Sequence, residues 1–123
     1  MRKQYFFRPS SRGLLAWDVD RLVKLSGKLS RKQIPLNTIR ELDEVRFGDD
    51  EARTWRALLD HMRLVEEADL AFPIILAADG SVMDGMHRVA KAVQQGRTAI
   101  EAVQFAEDPE PDYVGLGPEE LPY

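Results

Sequence analysis

The sequence predicts an α/β fold, a single domain with a small mixed sheet flanked by helices. Three observations carry this. The chain has 123 residues, 44% hydrophobic and 31% charged, enough for one core and too few for two. Short runs rich in β-branched residues recur at 72–76, 81–83 and 98–105. Between and before them lie stretches with helical spacing of apolar residues, the clearest at Trp55, Leu58, Leu59, Met62 and Val65.

The elements follow in order. Residues 1–13 hold the turn formers Pro9, Ser10, Ser11 and Gly13 and read as an N-terminal arm, with Tyr5, Phe6 and Phe7 docking on the body. Residues 14–105 form the domain. Leu14 to Leu29 carries Val19, Leu22, Val23 and Leu25 at helical spacing, with Asp18 or Asp20 as N-cap and a break near Gly27. Lys32 to Leu36 reads as a short strand, and Pro35 puts it at an edge. Asn37 can cap one helical turn through Ile39 and Leu42. After the loop Phe47–Asp50, the long helix starts at Asp50, where Asp50 and Glu51 suit the macrodipole.

Phe72 to Leu76 and Ser81 to Met83 flank Asp79-Gly80, a hairpin signal. A second helix opens at Asp84-Gly85, buries Val89, Ala90, Ala92 and Val93, and ends at Gly96. A last strand covers Thr98 to Phe105, with Ile100, Val103 and Phe105 apolar. Residues 106–123 form an acidic, proline-rich tail laid over the domain by Tyr113, Leu116 and Tyr123. The expected core joins Ile74, Leu76, Val82, Val89, Val93, Ile100 and Val103 to Trp55, Leu58, Leu59 and Met62.

Composition narrows the chemistry. The chain contains no cysteine, so disulfides, thiolate metal sites and cysteine nucleophiles are excluded. That suits a reducing, cytoplasmic setting. No apolar run is long enough for a membrane helix, and Arg8-Pro9 cuts short the only run with basic flanks near the N-terminus. The net charge of −4 conceals an asymmetry: residues 1–40 carry ten Lys or Arg against two Asp, whereas residues 106–123 carry six acids and no base. The basic third could face nucleic acid. The plainer reading is mutual neutralisation within one domain, since the basic residues lack interleaved aromatics for base stacking.

One segment carries a chemical pattern. Met83-Asp84-Gly85-Met86-His87-Arg88 stands where a strand passes into a helix. A helix start offers unpaired N–H groups and partial positive charge. Gly85 lets a ligand approach the backbone, and His87 and Arg88 add donors in the first turn. Gly85, Met86, His87 and Arg88 are therefore a candidate phosphate site, with Asp84 in support as N-cap. The bare carboxylate of Asp84 would repel phosphate unless Mg²⁺ or Arg88 absorbs its charge. The competing reading is an ordinary helix start in which Arg88 pairs with Asp84 and His87 is solvated. No metal is expected on protein ligands alone: there is no cysteine, and His61 and His87 are not spaced as a ligand pair. His61 lies beside the apolar face of the long helix and reads as a partner-satisfied surface or boundary residue.

Residues from about Leu70 to Phe105 resemble the ParB/sulfiredoxin superfamily. The resemblance rests on Pro73-Ile74-Ile75-Leu76, the turn Asp79-Gly80, then Asp84-Gly85-Met86-His87-Arg88, a helix, Gly96 and the strand around Ile100 to Val103. It implies a small stand-alone bacterial member whose Gly85 to Arg88 loop holds nucleotide phosphates, with ATP, ADP or CTP as cofactor, with or without Mg²⁺. Sulfiredoxin-like members place their catalytic cysteine where this chain has Met86. A thioether cannot do that chemistry, so this activity is excluded. ParB-like members add a helix-turn-helix DNA-binding domain and an asparagine- and arginine-containing motif, and neither is found here. Free serine kinases carry a similar Asp-Gly-His-His-Arg loop and a glutamate base. Here Glu41, Asp43 or Glu44 could serve, and the sequence does not choose among them. The resemblance thus implies a nucleotide-binding protein, an ATP- or ADP-dependent small phosphotransferase or NTPase. The alternative is a non-catalytic regulatory or DNA-associated module. The catalytic residues, the phosphoryl acceptor and the oligomeric state are not legible in the sequence.

Overall fold

The computed structural model describes residues 3–44 and 54–123. The expected loop Phe47–Asp50 and the acidic pair Asp50 and Glu51 lie outside the described residues. Within them the chain is a small α/β protein with three α-helices and two sheets.

The first sheet is built from β1 (Tyr5–Ser10), β2 (Gly13–Asp18) and β7 (Tyr113–Val114), in the order β1-β2-β7 and antiparallel throughout. This corrects the expected arm. Tyr5-Phe6-Phe7 is a β-prone run, and Ser10 to Gly13 makes the hairpin turn, with the Ser10 hydroxyl donating to Gly13 O at 2.7 Å. Pro9 fits because β1 is an edge strand. Leu14 to Asp18, expected as the first turns of a helix, is the second hairpin strand. Its alternation buries Leu15 and Trp17 toward one face. Helix α1 (Val19–Ser26) starts only after it. The Asp18 carboxylate caps it, accepting from Asp20 N–H at 2.9 Å.

The second sheet has the order β3-β6-β4-β5, from β3 (Lys32–Pro35), β4 (Ile74–Leu76), β5 (Val82–Asp84) and β6 (Ala99–Gln104). β3 and β6 are antiparallel, β4 and β6 parallel, and β4 and β5 a hairpin. Pro35 sits on the edge strand the sequence assigned it. Asn37 lies inside a 3-10 turn, Leu36–Thr38, and does not cap it. The Asp79 carboxylate accepts from the backbone and the hydroxyl of Ser81, which pins the hairpin turn and holds the carboxyl below its usual range.

Strand alternation splits the core in two. Ile74, Leu76, Val82, Ile100 and Ala102 face helix α3 (Met86–Gln94), which contributes Val89 and Ala92. Ile75, Ala77, Met83, Val103 and Phe105 face the other way, onto Leu15, Trp17 and Leu22 from the first sheet and α1. The central sheet is therefore covered on both faces. α3 closes with the N–H of Gly96 on Val93 O and that of Arg97 on Ala92 O, both at 3.0 Å, and Gly96 takes positive φ.

Helix α2 (Trp55–Glu67) overturns part of the expected core. It begins one residue after Thr54, whose hydroxyl accepts from Ala57 N–H, and not at Asp50. Only Val65 of its apolar stripe is buried. Trp55 is 80% exposed and Leu59 60%, and Leu58 and Met62 are exposed as well. Val93 on α3 is also exposed. α2 packs on α3 through the adjoining side, where His61 and Val65 lie. Lys91 of α3 donates to Glu66 O and Ala68 O, each at 2.7 Å, tying down the end of α2.

Residues 106–123 lie against the first sheet. Trp17 Nε1 donates to Pro109 O at 2.8 Å, the Asp18 N–H reaches Asp112, and Leu121 is buried.

Candidate functional site

The strand-to-helix junction is where sequence and structure meet. β5 ends at Asp84, and Gly85 is the N-cap of α3 with φ +115°. A Cβ there would stand 2.6 Å from Ile74 Cγ2 and 3.0 Å from Arg88 Nη2, so the position needs glycine for both conformation and space. Gly85→Ala is expected to destabilise the fold by at least roughly 1–3 kcal/mol. A urea melt within a few tenths of a kcal/mol of wild type would refute this.

Asp84 is not the cap it was expected to be. Its carboxylate accepts from Arg88 Nη2 at 2.9 Å, one turn on, and both side chains are largely buried. Among the described residues no side chain caps α3. The first-turn N–H groups of Met86, His87 and Arg88 thus have no capping acceptor among the described residues, and Gly85 O takes the first intrahelical bond from Val89.

Two cavities of about 430 Å³ each adjoin this start. One is walled by β1 and β5, from Gln4 to Phe7 and from Val82 to Gly85, with Met86 and His87 at its end. The other lies between α2, α3 and the 3-10 turn Arg40–Asp43, and Glu41, Glu44, His61 and His87 line it over Val65 and Met86. Arg88 points elsewhere, into a smaller cleft beside α1 with Asp84, Arg31 and Phe72.

Of the three acids considered, Glu41 is the buried one. Its Oε2 accepts from Val82 N–H at 2.6 Å. Glu44 reaches the same cavity, while Asp43 is exposed and does not line it.

His61, read as a surface or boundary residue, stands against His87 with ring centroids 4.7 Å apart. Sequence spacing could not reveal this pair, because it arises from α2 packing on α3. Among the described residues no group of three or more His, Asp or Glu is arranged to hold a metal ion.

The His87 imidazole is held below its ordinary value of 6.5, first by burial and then by His61. Its Nε2 is buried with no hydrogen-bond partner among the described residues, so a charged ring would bury an unsatisfied N–H. The unfolded chain protonates this group near pH 6.5 and the folded chain only at lower pH. Stability present above about pH 6.5 is therefore lost as the pH falls toward the depressed folded value. Wild type should lose melting temperature between about pH 7 and 5 more steeply than His87→Gln. Parallel curves for the two proteins would refute it.

Four of the ten basic residues in positions 1–40 make ion pairs among the described residues. Lys3 pairs with Asp18, Arg8 with Asp108, Arg21 with Asp112 and Arg31 with Glu101. Two of these acids, Asp108 and Asp112, belong to the tail.

Comparison with protein-family models, curated proteins and solved structures finds no match. No helix among the described residues is long and apolar enough to cross a membrane.

Proposed function

We propose that this chain binds a nucleotide, with the phosphates at the start of α3, in the manner of the ParB/sulfiredoxin superfamily that residues 70–105 resemble. The observation that carries the reading is the uncapped α3 N-terminus, set behind a left-handed glycine and opening onto a cavity. The main-chain donors there are fixed by the fold, so they reorganise little on binding.

The residues fit the phosphates only after rearrangement: Arg88 lies in the cleft beside α1, outside the cavity at the helix start, and must turn toward it. Asp84 opposes an anion, and Arg88 currently offsets its charge. A phosphate oxygen can take over the Arg88 guanidinium if a cation replaces it at Asp84. Mg²⁺ carried in by the nucleotide would be held there by Asp84, with water completing its shell, and would neutralise charge on the phosphates. His87, neutral at pH 7, can donate one ring N–H. Its protonation at lower pH would strengthen the contact with a phosphate, opposite in sign to its effect on stability.

A phosphotransferase or NTPase reading adds Glu41 as general base, because it is buried at the second cavity, and His87 lines both that one and the cavity at the start of α3. Glu41→Gln keeps an acceptor for the Val82 N–H but removes the base. It is expected to bind nucleotide within about threefold of wild type while losing turnover by roughly 10²–10⁴. The test is calorimetric titration with ATP, ADP, CTP and GTP, with and without Mg²⁺, followed by product analysis. Absence of binding at millimolar concentration would sink the proposal. Binding without turnover would leave the regulatory module, the alternative reading, in its place.

A further inference from the structure

We propose, resting on the phosphate reading above, that the slot between the free edges of β1 and β5 holds the base of the nucleotide and that main-chain groups of β1 read it. β1 and β5 are edge strands of different sheets, and both wall the cavity that ends at the start of α3. Side chains on a strand alternate between its two faces. A cavity lying over one face would therefore touch every second residue. Here four consecutive residues, Gln4 to Phe7, line the cavity, and so do four in a row from Val82 to Gly85. The cavity thus runs along the edges of both strands, where the main chain is.

The pairing of β1 fixes which groups point into it. Val19 N–H donates to Gln4 O at 3.1 Å, and the register continues with Phe6 opposite Trp17, Arg8 opposite Leu15 and Ser10 opposite Gly13. Hydrogen-bonded positions alternate in an antiparallel pair, so the even-numbered residues turn their main-chain groups to β2. Those of Tyr5 and Phe7 turn the other way, off the free edge. Pro9 has the same parity and no N–H at all, which the sheet tolerates because that position gives none to β2. On β5 the Val82 N–H is already taken by Glu41 Oε2, which leaves the reading to β1.

An outward-facing strand residue offers an N–H and a C=O on the same side. A nucleobase is flat and carries a donor beside an acceptor on its pairing edge, so it can meet that pair in the plane of the strand. The cavity, about 430 Å³, is of small-molecule size. It ends on the N–H groups of the α3 start and not in solvent, which suits a ligand with a flat group at one end and an anionic group at the other.

Titration calorimetry with inorganic tripolyphosphate, ATP and CTP, each with Mg²⁺, separates this subsite from the phosphate reading. ATP or CTP is expected to bind at least about tenfold tighter than tripolyphosphate. If none of the three binds at millimolar concentration, the phosphate reading fails and the subsite with it. If tripolyphosphate binds as tightly as both nucleotides, the phosphates are held and the subsite alone is overturned. Amide spectra of isotope-labelled protein locate the base. The Tyr5 and Phe7 N–H signals should shift with the nucleotide and not with tripolyphosphate. Nucleotide binding that leaves both signals unmoved puts the base elsewhere and overturns the proposal. Phe7→Pro removes one reading N–H at a position of the same parity as Pro9. It should weaken the nucleotide about three- to tenfold and leave tripolyphosphate within about twofold of wild type. Equal losses for the two ligands would make β1 a wall without a reading role, which overturns the proposal as well.

Discussion

Arg88→Ala is expected to weaken nucleotide binding from roughly thirtyfold to a few thousandfold, the equivalent of about 2–5 kcal/mol. The guanidinium sits in the first turn of α3 and is largely buried, so a phosphate contact made there would be poorly screened. Its partner now is Asp84 Oδ2, at 2.9 Å. The substitution therefore has a second consequence: Asp84 keeps a largely buried carboxylate with its cation removed, which costs stability by itself. The two effects separate experimentally. The double variant Asp84→Asn with Arg88→Ala removes the stranded charge and should recover stability, but not affinity. Arg88→Lys keeps the positive charge without the planar fork and should fall between wild type and Arg88→Ala in affinity. Nucleotide titration and urea melts on the same preparations would read both. If Arg88→Ala binds nucleotide as well as wild type, the arginine belongs to the helix start and not to a ligand site.

Asp84 to Arg88 could be located from sequence because the junction is local. A strand ending in Asp-Gly and a helix beginning at once leave little freedom in where Gly85 stands. The role given to Asp84 was wrong for an equally local reason. With φ at +115° Gly85 itself takes the cap position, and the carboxylate turns to Arg88. What sequence could not supply was contact between elements. His61 meets His87 only because α2 lies on α3, and Glu41 stands out from Asp43 and Glu44 only by reaching the Val82 N–H. The same limit explains the misplaced core. Periodicity correctly shows that α2 has an apolar face, but it carries no information on what covers that face. The segment from Tyr5 to Asp18 failed differently. Its period-two alternation at Leu15 and Trp17 was absorbed into the helical pattern that begins at Val19, so one hairpin was divided between an arm and a helix.

Trp17→Ala is expected to cost about 3–5 kcal/mol, or roughly 10–20 °C of melting temperature. Trp17 is 2% exposed and joins the second core cluster, with Leu15, Leu22, Ile75, Met83, Val103 and Phe105. It also anchors the tail. Its indole donates to Pro109 O, and the Arg8 guanidinium, 5.2 Å from the ring centroid, pairs with Asp108 at 2.9 Å. Asp108 in turn accepts from the Ala78 N–H, so the tail is tied to the β4–β5 turn through the same cluster. Alanine would remove the ring, the donor and the surface under the arginine together. Trp17→Phe separates packing from anchoring. It keeps an aromatic ring in the core but leaves Pro109 O without its donor, at a cost of about 1–3 kcal/mol. Digestion with a glutamate-specific protease would follow the tail through Glu107 and Glu110. Both variants should be cut there faster than wild type under native conditions, Trp17→Ala the more so. If Trp17→Ala melts within a few degrees of wild type and the tail is cut no faster, neither the core nor the tail depends on this residue.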